Sequence, residues 1–285
     1  MPELPEVETI ARDLASSVVA ARVTEVWSSG MPLRLARAID LRGIRAAARG
    51  RRIERVRRRG KYLLLDFEVK PAERRGAPSA PAPGVLVHLG MSGRMLVEEA
   101  TRPRAIHTHL VLSLEDGREL RYRDPRRFGW IAAGTPIDDC PELAALGPDP
   151  LGELTVADLA ERLRGVRAPI KAFLLDQTRV AGLGNIYVCE ALHRAAIHPA
   201  TPAGRLPARA AALLDGIRAA LELGIRNRGT TLRDYVDSFG AGGNNAPALL
   251  VYGRAGERCP RCAAAIRRRV DAARSTFFCA ACQRR

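Results

Sequence analysis

Four cysteines close to the C-terminus form a pattern with a clear chemical meaning. They stand in two C-x-x-C pairs, Cys259 with Cys262 and Cys279 with Cys282, and 16 residues separate the pairs. Four thiolates can close a tetrahedral shell around zinc, and the paired spacing suits two ligands per turn. The segment between the pairs is too short for a hydrophobic core of its own and needs a metal to fold. The pattern predicts one structural Zn²⁺, with reduced thiols or a redox pair as the alternative.

A second candidate for chemistry is the proline that follows the initiator methionine. Removal of Met1 would leave Pro2 with a secondary amine at the chain terminus. A terminal amine has a pKa of about 8, far below that of lysine, so part of it is neutral at physiological pH. A neutral amine can attack an electrophilic carbon and leave an iminium, with the neighbouring Glu3 as a candidate proton donor. Taken alone, these residues leave open the alternative that the prolines only begin a helix.

Other residues of reactive type show no comparable pattern. Two cysteines stand outside the pairs and are interpreted as ordinary buried or half-buried thiols. No chemical role is assigned to Cys140, Cys189, His193 or His198.

The net charge of the chain is strongly positive. Lys and Arg number 46 against 31 Asp and Glu, which gives +15. Such an excess indicates a polyanionic partner, because neutralising phosphates releases counterions; a solvated basic surface is the alternative. From Arg254 to Arg285 there are nine arginines and two acids, so the predicted zinc ribbon is itself expected to touch nucleic acid.

The N-terminus and the distribution of apolar residues indicate a cytoplasmic protein. The chain begins with an acidic, proline-containing stretch, unlike a secretory signal. No apolar run approaches the roughly 18 residues of a membrane span, so no membrane partner is expected. Disulfides are rare in the cytosol, which favours the metal interpretation of the paired cysteines.

The elements that must position these residues are β-rich in the first half of the chain. Residues Glu3 to Val19 are predicted to form a helix, because apolar residues recur on one face. Strands are predicted at 62–67, 85–89, 110–114 and 120–122, the last two joined by an Asp116-Gly117 turn. The stretch Pro71 to Pro83, rich in Pro, Ala and Arg, is predicted to be a surface loop.

The second half is predicted to be helical. Helices are expected at 155–163, 169–178, 186–195, 207–225 and 232–236, with Thr155 capping the first. The stretch Gly240 to Asn245 is predicted to be a flexible loop. The resulting division is a β-rich domain (1–135), a hinge (136–152), a helical domain (153–240), and a loop with the zinc ribbon (241–285).

Motifs along nearly the whole chain resemble those of the formamidopyrimidine-DNA glycosylases, and they occur in the family's order. Met1 to Thr9 resembles the N-terminal signature of the family. The catalytic-lysine segment, the intercalation loop, the second wedge and the helix-two-turn-helix turn are matched by 59–65, 88–93, 124–129 and 182–187. Val251 to Arg254 and the four cysteines complete the set, and the joint pattern is far more specific than any single motif.

The resemblance implies an α+β fold and a repair activity. The expected architecture is an N-terminal β-sandwich with flanking helices, then a helix-two-turn-helix domain and a C-terminal four-cysteine zinc ribbon. Damaged double-stranded DNA would bind between the domains of a monomer. The implied enzyme flips an oxidised purine, such as 8-oxoguanine or a formamidopyrimidine, out of the duplex, removes it and cuts the strand.

The resemblance also implies roles for particular residues. Pro2 attacks C1′ of the flipped nucleotide, and Glu3 donates a proton at the sugar. Lys61 and Arg274 match positions that assist the β- and δ-elimination. For Lys61 the alternative is plain attraction of phosphate, because residues 51–61 hold seven basic residues and one acid.

A flipped nucleotide leaves a hole in the duplex that wedge side chains fill. Met91, Arg126 and Phe128 match the wedge positions, and Arg126 could also hydrogen-bond the orphaned base. Core packing is the alternative for Met91 and Phe128. The other positions that match DNA contacts of the family are His88, His107, Lys171 and Asn185.

One stretch departs from the usual pattern of the family. Residues 240–247 contain no aromatic side chain, and Phe239 is the nearest one, whereas the family often places an aromatic in this loop over the flipped base. The preferred lesion is therefore left open. Two alternatives remain: a sister enzyme for oxidised pyrimidines, against which the run Leu4 to Glu8 argues, and a non-catalytic nucleic-acid binder, against which Pro2, Glu3 and Lys61 argue.

Overall fold

The computed structural model describes residues 1–33, 38–74 and 81–284, and the chain forms two compact units. Unit 1 contains residues 1–144 and 228–244, and unit 2 contains residues 145–227 and 245–285. The first is rich in strands and the second in helices, so the predicted α+β class is confirmed.

Unit 1 is built on two four-stranded antiparallel sheets. In spatial order, the first sheet consists of β1 (Val23–Ser28), β6 (Thr108–Leu114), β7 (Arg118–Arg123) and β5 (Arg94–Glu99). The second consists of β2 (Ile53–Arg59), β3 (Tyr62–Phe67), β4 (Gly84–His88) and β8 (Trp130–Gly134). The helices are α1 (Leu4–Val18), α2 (Leu41–Ala48) and the short α3 (Pro141–Ala144).

Both sheets and α1 share one hydrophobic core. Helix α1 contributes Val7, Ile10 and Leu14 from one face, and all three are almost fully buried. The first sheet contributes Leu112 and the second Leu65, each from the face turned toward the shared core. This is the predicted β-sandwich with flanking helices.

The strand predictions were confirmed where apolar runs are continuous. The predicted strand at 62–67 and the 110–122 hairpin are formed, whereas β1, β2, β5 and β8 were not predicted. Strand β2 shows why: its seven residues include four arginines and one glutamate, and only its pairing with the apolar β3 makes it a strand. In the predicted surface loop, residues 75–80 lie outside the described residues.

Unit 2 combines four helices with a two-stranded ribbon. The helices are α4 (Val156–Leu163), α5 (Ile170–Leu175), α6 (Asn185–Arg194) and α7 (Ala210–Arg226), and the ribbon strands are β9 (Arg267–Asp271) and β10 (Arg274–Phe278). The predicted cap is present, since Oγ1 of Thr155 accepts the N–H of Asp158 at 3.1 Å. Helix α5 ends earlier than predicted because the Asp176 carboxylate accepts the N–H of Thr178. In the described part of the chain no helix is long and apolar enough to cross a membrane.

The 228–244 segment differs from its prediction. The helix predicted at 232–236 is wrong, because these residues are irregular. Oγ1 of Thr231 donates to the carbonyl of Tyr235, and the Tyr235 ring packs into the core of unit 1. These contacts outweigh helix propensity. They also group the segment with unit 1, although the sequence-based division assigned residues up to 240 to the helical domain.

Candidate functional site

Pro2 and Glu3 immediately precede α1 and are buried, with Glu3 at the position that caps the helix. The carboxylate of Glu6 fixes the backbone there: its Oε2 accepts the N–H of Glu3 at 2.8 Å, and its Oε1 accepts the N–H of Thr230 at 2.7 Å. Glu6 is 1% exposed, so water does not compete for these bonds. Sequence reasoning missed Glu6, although an acid three residues after a helix-capping position is the signature of a capping box.

Lys61 lies in the tight turn between β2 and β3 and is buried. Arg58 fastens this turn to α1, because its Nε donates to Oε2 of Glu8 at 2.8 Å and its Nη1 to the carbonyl of Gly60 at 3.2 Å. Burial opposes ionisation of Glu8, but hydrogen bonds led by that from Arg58 outweigh it and lower the pKa of Glu8. The ion pair therefore joins the lysine-bearing turn to the helix that carries the N-terminus.

The three residues predicted as wedges stand exposed on two loops of unit 1. Met91 is 39% exposed and Phe128 is 45% exposed. Arg126 is also exposed, and its guanidinium carbon lies 4.6 Å from the centre of the Phe128 ring. The two loops touch at Gly90, whose φ is +62° and where any Cβ would collide with the backbone of Phe128. Core packing, the alternative interpretation of Met91 and Phe128, does not fit these exposures.

One buried carboxylate shapes both wedge loops. Asp124 is 0% exposed, and its Oδ1 accepts from the Ser92 hydroxyl at 2.6 Å. Its Oδ2 accepts from the Tyr122 hydroxyl at 3.0 Å and from the N–H of Gly129 at 2.8 Å. Burial, assisted by the charge of Asp124, raises the pKa of Tyr122 and keeps its phenol a donor. Hydrogen bonds to Asp124 thus fix the shape of both wedge loops. No periodicity in the sequence indicates this role of Asp124.

Two predicted DNA-contacting histidines lie in unit 1. His88 ends β4 opposite Tyr62, with 5.0 Å between the ring centres, so it shares one end of the sheet with Lys61. Its Nδ1 accepts the N–H of Gly90, which places it beside the first wedge loop. His107 is exposed and has a left-handed backbone with φ of +67°.

Lys171 and Asn185 converge on the ribbon strand β10 in unit 2. Nζ of Lys171 donates to Oγ1 of Thr276 at 2.6 Å and to the carbonyl of Ser275 at 3.2 Å. Nδ2 of Asn185 donates to the same Ser275 carbonyl at 2.8 Å. Arg274 immediately precedes these residues and is exposed. Burial lowers the pKa of Lys171, whose buried amine holds the ribbon; direct contact of this lysine with DNA stays a prediction.

Lys171 and Arg274 also line a cavity of about 720 Å³ in unit 2. Its charged lining consists of Lys171, Asp176, Arg269, Asp271 and Arg274. The three cations make the cavity suitable for an anionic group such as a phosphate.

The four paired cysteines come together as a metal centre. Their Sγ atoms all lie within 4.8 Å of one another, with 3.8 Å between Cys259 and Cys282 and 3.4 Å between Cys262 and Cys279. A tetrahedral shell with Zn–S bonds of about 2.3 Å requires sulfur atoms about 3.8 Å apart. The four thiols therefore fit zinc, and a complete set of thiolate ligands is typical of a structural site without an open position.

Helix α6 supplies polar side chains that sequence reasoning left without a role. Nε2 of His193 lies 3.3 Å from Sγ of Cys259, and it must be the donor when that sulfur is a metal-bound thiolate. Burial lowers the pKa of His193 and favours the neutral ring. The buried carboxylate of Glu190 accepts the N–H groups of Leu250, Val251 and Tyr252, which lead into the ribbon.

Three family models match the chain in succession. The formamidopyrimidine-DNA glycosylase N-terminal domain matches residues 1–131, and the H2TH domain of the same family matches residues 146–236. A zinc finger found in FPG and IleRS matches residues 256–285. Together these matches cover most of the chain and follow the order of the predicted motifs.

Full-length relatives and solved structures agree with the family models. A formamidopyrimidine-DNA glycosylase of Rhizorhabdus wittichii is 45% identical over 288 residues, covering 100% of both chains. One from Chloroflexus aggregans is 44% identical, covering 99% of this chain and 98% of that protein. A Lactococcus lactis FPG mutant bound to Fapy-dG-containing DNA has a TM-score of 0.87 at 32% identity, with full coverage of both chains. The L. lactis Fpg bound to abasic-site DNA has a TM-score of 0.86 at 32% identity, covering 99% of this chain and 100% of that chain.

Proposed function

This chain belongs to the formamidopyrimidine-DNA glycosylase family, and on that premise we propose that it removes oxidised purines from double-stranded DNA and then cuts the abasic strand. It is a zinc-containing DNA glycosylase and AP lyase that acts as a monomer in base-excision repair. The observation that carries the proposal is the Pro2–Glu3 pair at the buried start of α1. A protein that only binds DNA has no need of a terminal secondary amine in that place.

Base removal begins at the N-terminus. Met1 is 50% exposed and open to removal, which leaves the nitrogen of Pro2 as an amine. That amine attacks C1′ of the flipped nucleotide, and the damaged base leaves with the electron pair of the broken bond and takes up the proton that the amine loses. Opening of the sugar ring at C1′ then gives an iminium between enzyme and sugar. Glu3 delivers a proton at the sugar as the ring opens, and Glu6 holds the Glu3 backbone in place.

Strand cutting follows from the iminium, because it acidifies the neighbouring sugar carbon. β-Elimination breaks the bond to the 3′ phosphate and δ-elimination the bond to the 5′ phosphate. Lys61 and Arg274 assist these steps by neutralising the departing phosphates. His88, His107 and Asn185 bind the DNA backbone, and Met91, Arg126 and Phe128 fill the space left by the flipped nucleotide.

Zinc has a structural part in this scheme. Cys259, Cys262, Cys279 and Cys282 would hold it, and it supplies the cross-link that lets a short, arginine-rich ribbon fold. The ribbon in turn presents Arg274. Because its substrate is cellular DNA, we propose that the protein works with the DNA in the cytoplasm.

The proposal is tested by borohydride trapping with a panel of duplexes containing 8-oxoguanine, a formamidopyrimidine, thymine glycol or an abasic site. We expect covalent trapping on the purine lesions and the abasic site, with thymine glycol processed more slowly. Faster processing of thymine glycol would assign the chain to oxidised pyrimidines instead. Binding without trapping on any duplex would show a non-catalytic DNA-binding protein.

The wedge assignment predicts a separation between stability and activity. In Phe128→Ala or Met91→Ala the lost side chain is exposed, so the free energy of unfolding should change by no more than about 0.5 kcal/mol. Excision from an intact duplex should fall sharply because the cost of unstacking is no longer offset. Cutting at an abasic site should suffer less, since the base is already missing. A melting curve beside the two cleavage assays measures both effects.

Phe67→Ala is the matched control, because Phe67 is 0% exposed in the core. Its loss should cost about 3–5 kcal/mol and impair both substrates together. If Phe128→Ala behaved in the same way, Phe128 would be a core residue and the wedge assignment would fail.

A further inference from the structure

The 228–244 segment is fastened to α1 at two points near the predicted catalytic residues. At the first, Nη2 of Arg228 lies 3.0 and 2.8 Å from the two carboxylate oxygens of Asp13. At the second, the N–H of Thr230 donates to Oε1 of Glu6. The second point matters for catalysis, because Oε2 of the same Glu6 carboxylate binds the N–H of Glu3. The segment and Glu3 therefore share one buried anchor.

Arg228 adopts an unfavourable backbone conformation to make its contact. Its φ is +58°, in the left-handed region that disfavours every residue with a Cβ, and Gly229 follows with φ of +86°. Glycine would suit position 228 better than arginine. The guanidinium must therefore supply interactions that hold the turn, and it does so by bridging Asp13 to Asp237, whose Oδ2 lies 2.5 Å from Nη2. Both aspartates are buried, at 6% and 3% exposure.

Asp237 extends these contacts further into the 228–244 segment. Its Oδ1 accepts the N–H of Phe239 at 3.0 Å and that of Ala241 at 2.9 Å. The turn that presents the exposed Phe239 is thus shaped by the carboxylate that Arg228 holds. The hydrogen bonds that Arg228 donates to Asp237 and then to Asp13 raise the pKa of its guanidinium.

The turn at 228–229 also presses directly on Glu6. A Cβ added to Gly229 would lie 3.0 Å from Cγ of Glu6 and 2.7 Å from the Tyr235 ring. Such close packing means that a shift of this turn cannot be absorbed locally. A shift of the 228–229 turn therefore displaces the Glu6 carboxylate, and with it the backbone N–H of Glu3 that this carboxylate binds.

We propose that Arg228 is a positioning residue for base excision, acting through Asp13 and Glu6 to hold Glu3 and the adjoining Pro2. The inference rests on the proposed function, because it assumes that these two residues do the chemistry. In this role Arg228 acts only through contacts within the protein.

The test compares Arg228→Gly, Arg228→Lys and Asp13→Asn in the full-length zinc-loaded protein. Arg228→Gly should fold, because glycine relieves the left-handed strain. Its single-turnover rate of 8-oxoguanine excision should fall about 10- to 100-fold, because even a small displacement of the reacting groups slows the reaction this much. Its Kd for a duplex that contains the lesion should stay within about twofold of the wild-type value.

Arg228→Lys should recover part of the excision rate, since a lysine keeps the charge but lacks the planar fork. Asp13→Asn should reproduce the loss, and the Arg228→Gly/Asp13→Asn double variant should be no slower than the slower single one.

Arg118→Ala is the matched control. Arg118 also contacts α1 and is ion-paired with Asp116, but it donates to the carbonyl of Ser17, roughly 20 Å along the helix from Glu3. Its excision rate should equal that of the wild type. A wild-type rate in folded Arg228→Gly would overturn the inference, and so would a rate loss in Arg228→Gly that Asp13→Asn does not share. Failure of the wild-type protein to excise or be trapped would instead refute the proposed function, so the two failures are distinguishable.

Discussion

A form of the protein that carries any residue in front of Pro2 should lose base excision by a factor on the order of 10³ or more, yet bind lesion DNA almost normally. Acylation turns the nitrogen of Pro2 into an amide, whose lone pair is delocalised and cannot attack C1′. The rest of the interface, including the wedge loops and the ribbon, is untouched by this change. The measurement is single-turnover excision and borohydride trapping, beside the Kd for the same duplex.

Two controls sharpen this prediction. Mass spectrometry establishes which preparations begin at Pro2 and which retain an extra residue. A Glu3→Gln variant with a free Pro2 amine should still be trapped on an abasic site, although more slowly, because it keeps the nucleophile and loses only the proton donor. Normal trapping by a chain with a blocked Pro2 would refute the N-terminal amine as nucleophile and direct attention to Lys61.

Removal of zinc, by chelation or by Cys279→Ser, should unfold the ribbon and weaken DNA binding by about 100-fold or more. Binding of a structural zinc is coupled to folding with a free energy of about 10–16 kcal/mol, far more than the small apolar cluster around Ile266 can replace. The unfolded ribbon no longer presents Arg274, and Lys171 and Asn185 lose their partners on β10. Elemental analysis should give one zinc per wild-type chain.

The effect of zinc loss on the stability of unit 1 can be measured separately from its effect on unit 2. The two tryptophans, Trp27 and Trp130, both lie in unit 1, so the melting transition seen by tryptophan fluorescence should change little on zinc loss. Cys140→Ser is the control, because this buried thiol lies in unit 1, outside the metal centre. It should retain zinc and DNA binding. Protein that contains no zinc but binds DNA normally would contradict the structural role of the metal.

Patterns that depend on neighbours in the chain were predictable from the sequence. Helix α1 follows from its apolar face, the start of α4 from the Thr155 cap, and strand β3 from its apolar run. The four zinc ligands follow from spacing alone, because the C-x-x-C pair is itself the local geometry of a metal-binding turn. The resemblance of the motifs carried the prediction further, to the order of the domains and to the chemistry at Pro2.

The tertiary structure decided what depends on residues far apart in sequence. The 232–236 stretch has a helical pattern, yet Tyr235 within it packs into the core of unit 1. Arg228, shortly before this stretch, binds Asp13, more than 200 residues away along the chain. Buried polar groups such as Asp124, Glu190 and Asp13 leave no periodic signal, because each is stabilised by partners that only folding brings to it. The spacing of its cysteines thus determined the metal centre, and the resemblance of its motifs predicted the chemistry at Pro2, since both are local properties of the sequence. Folding decided how those groups are held, because a buried charge acquires its partners only when distant segments pack together.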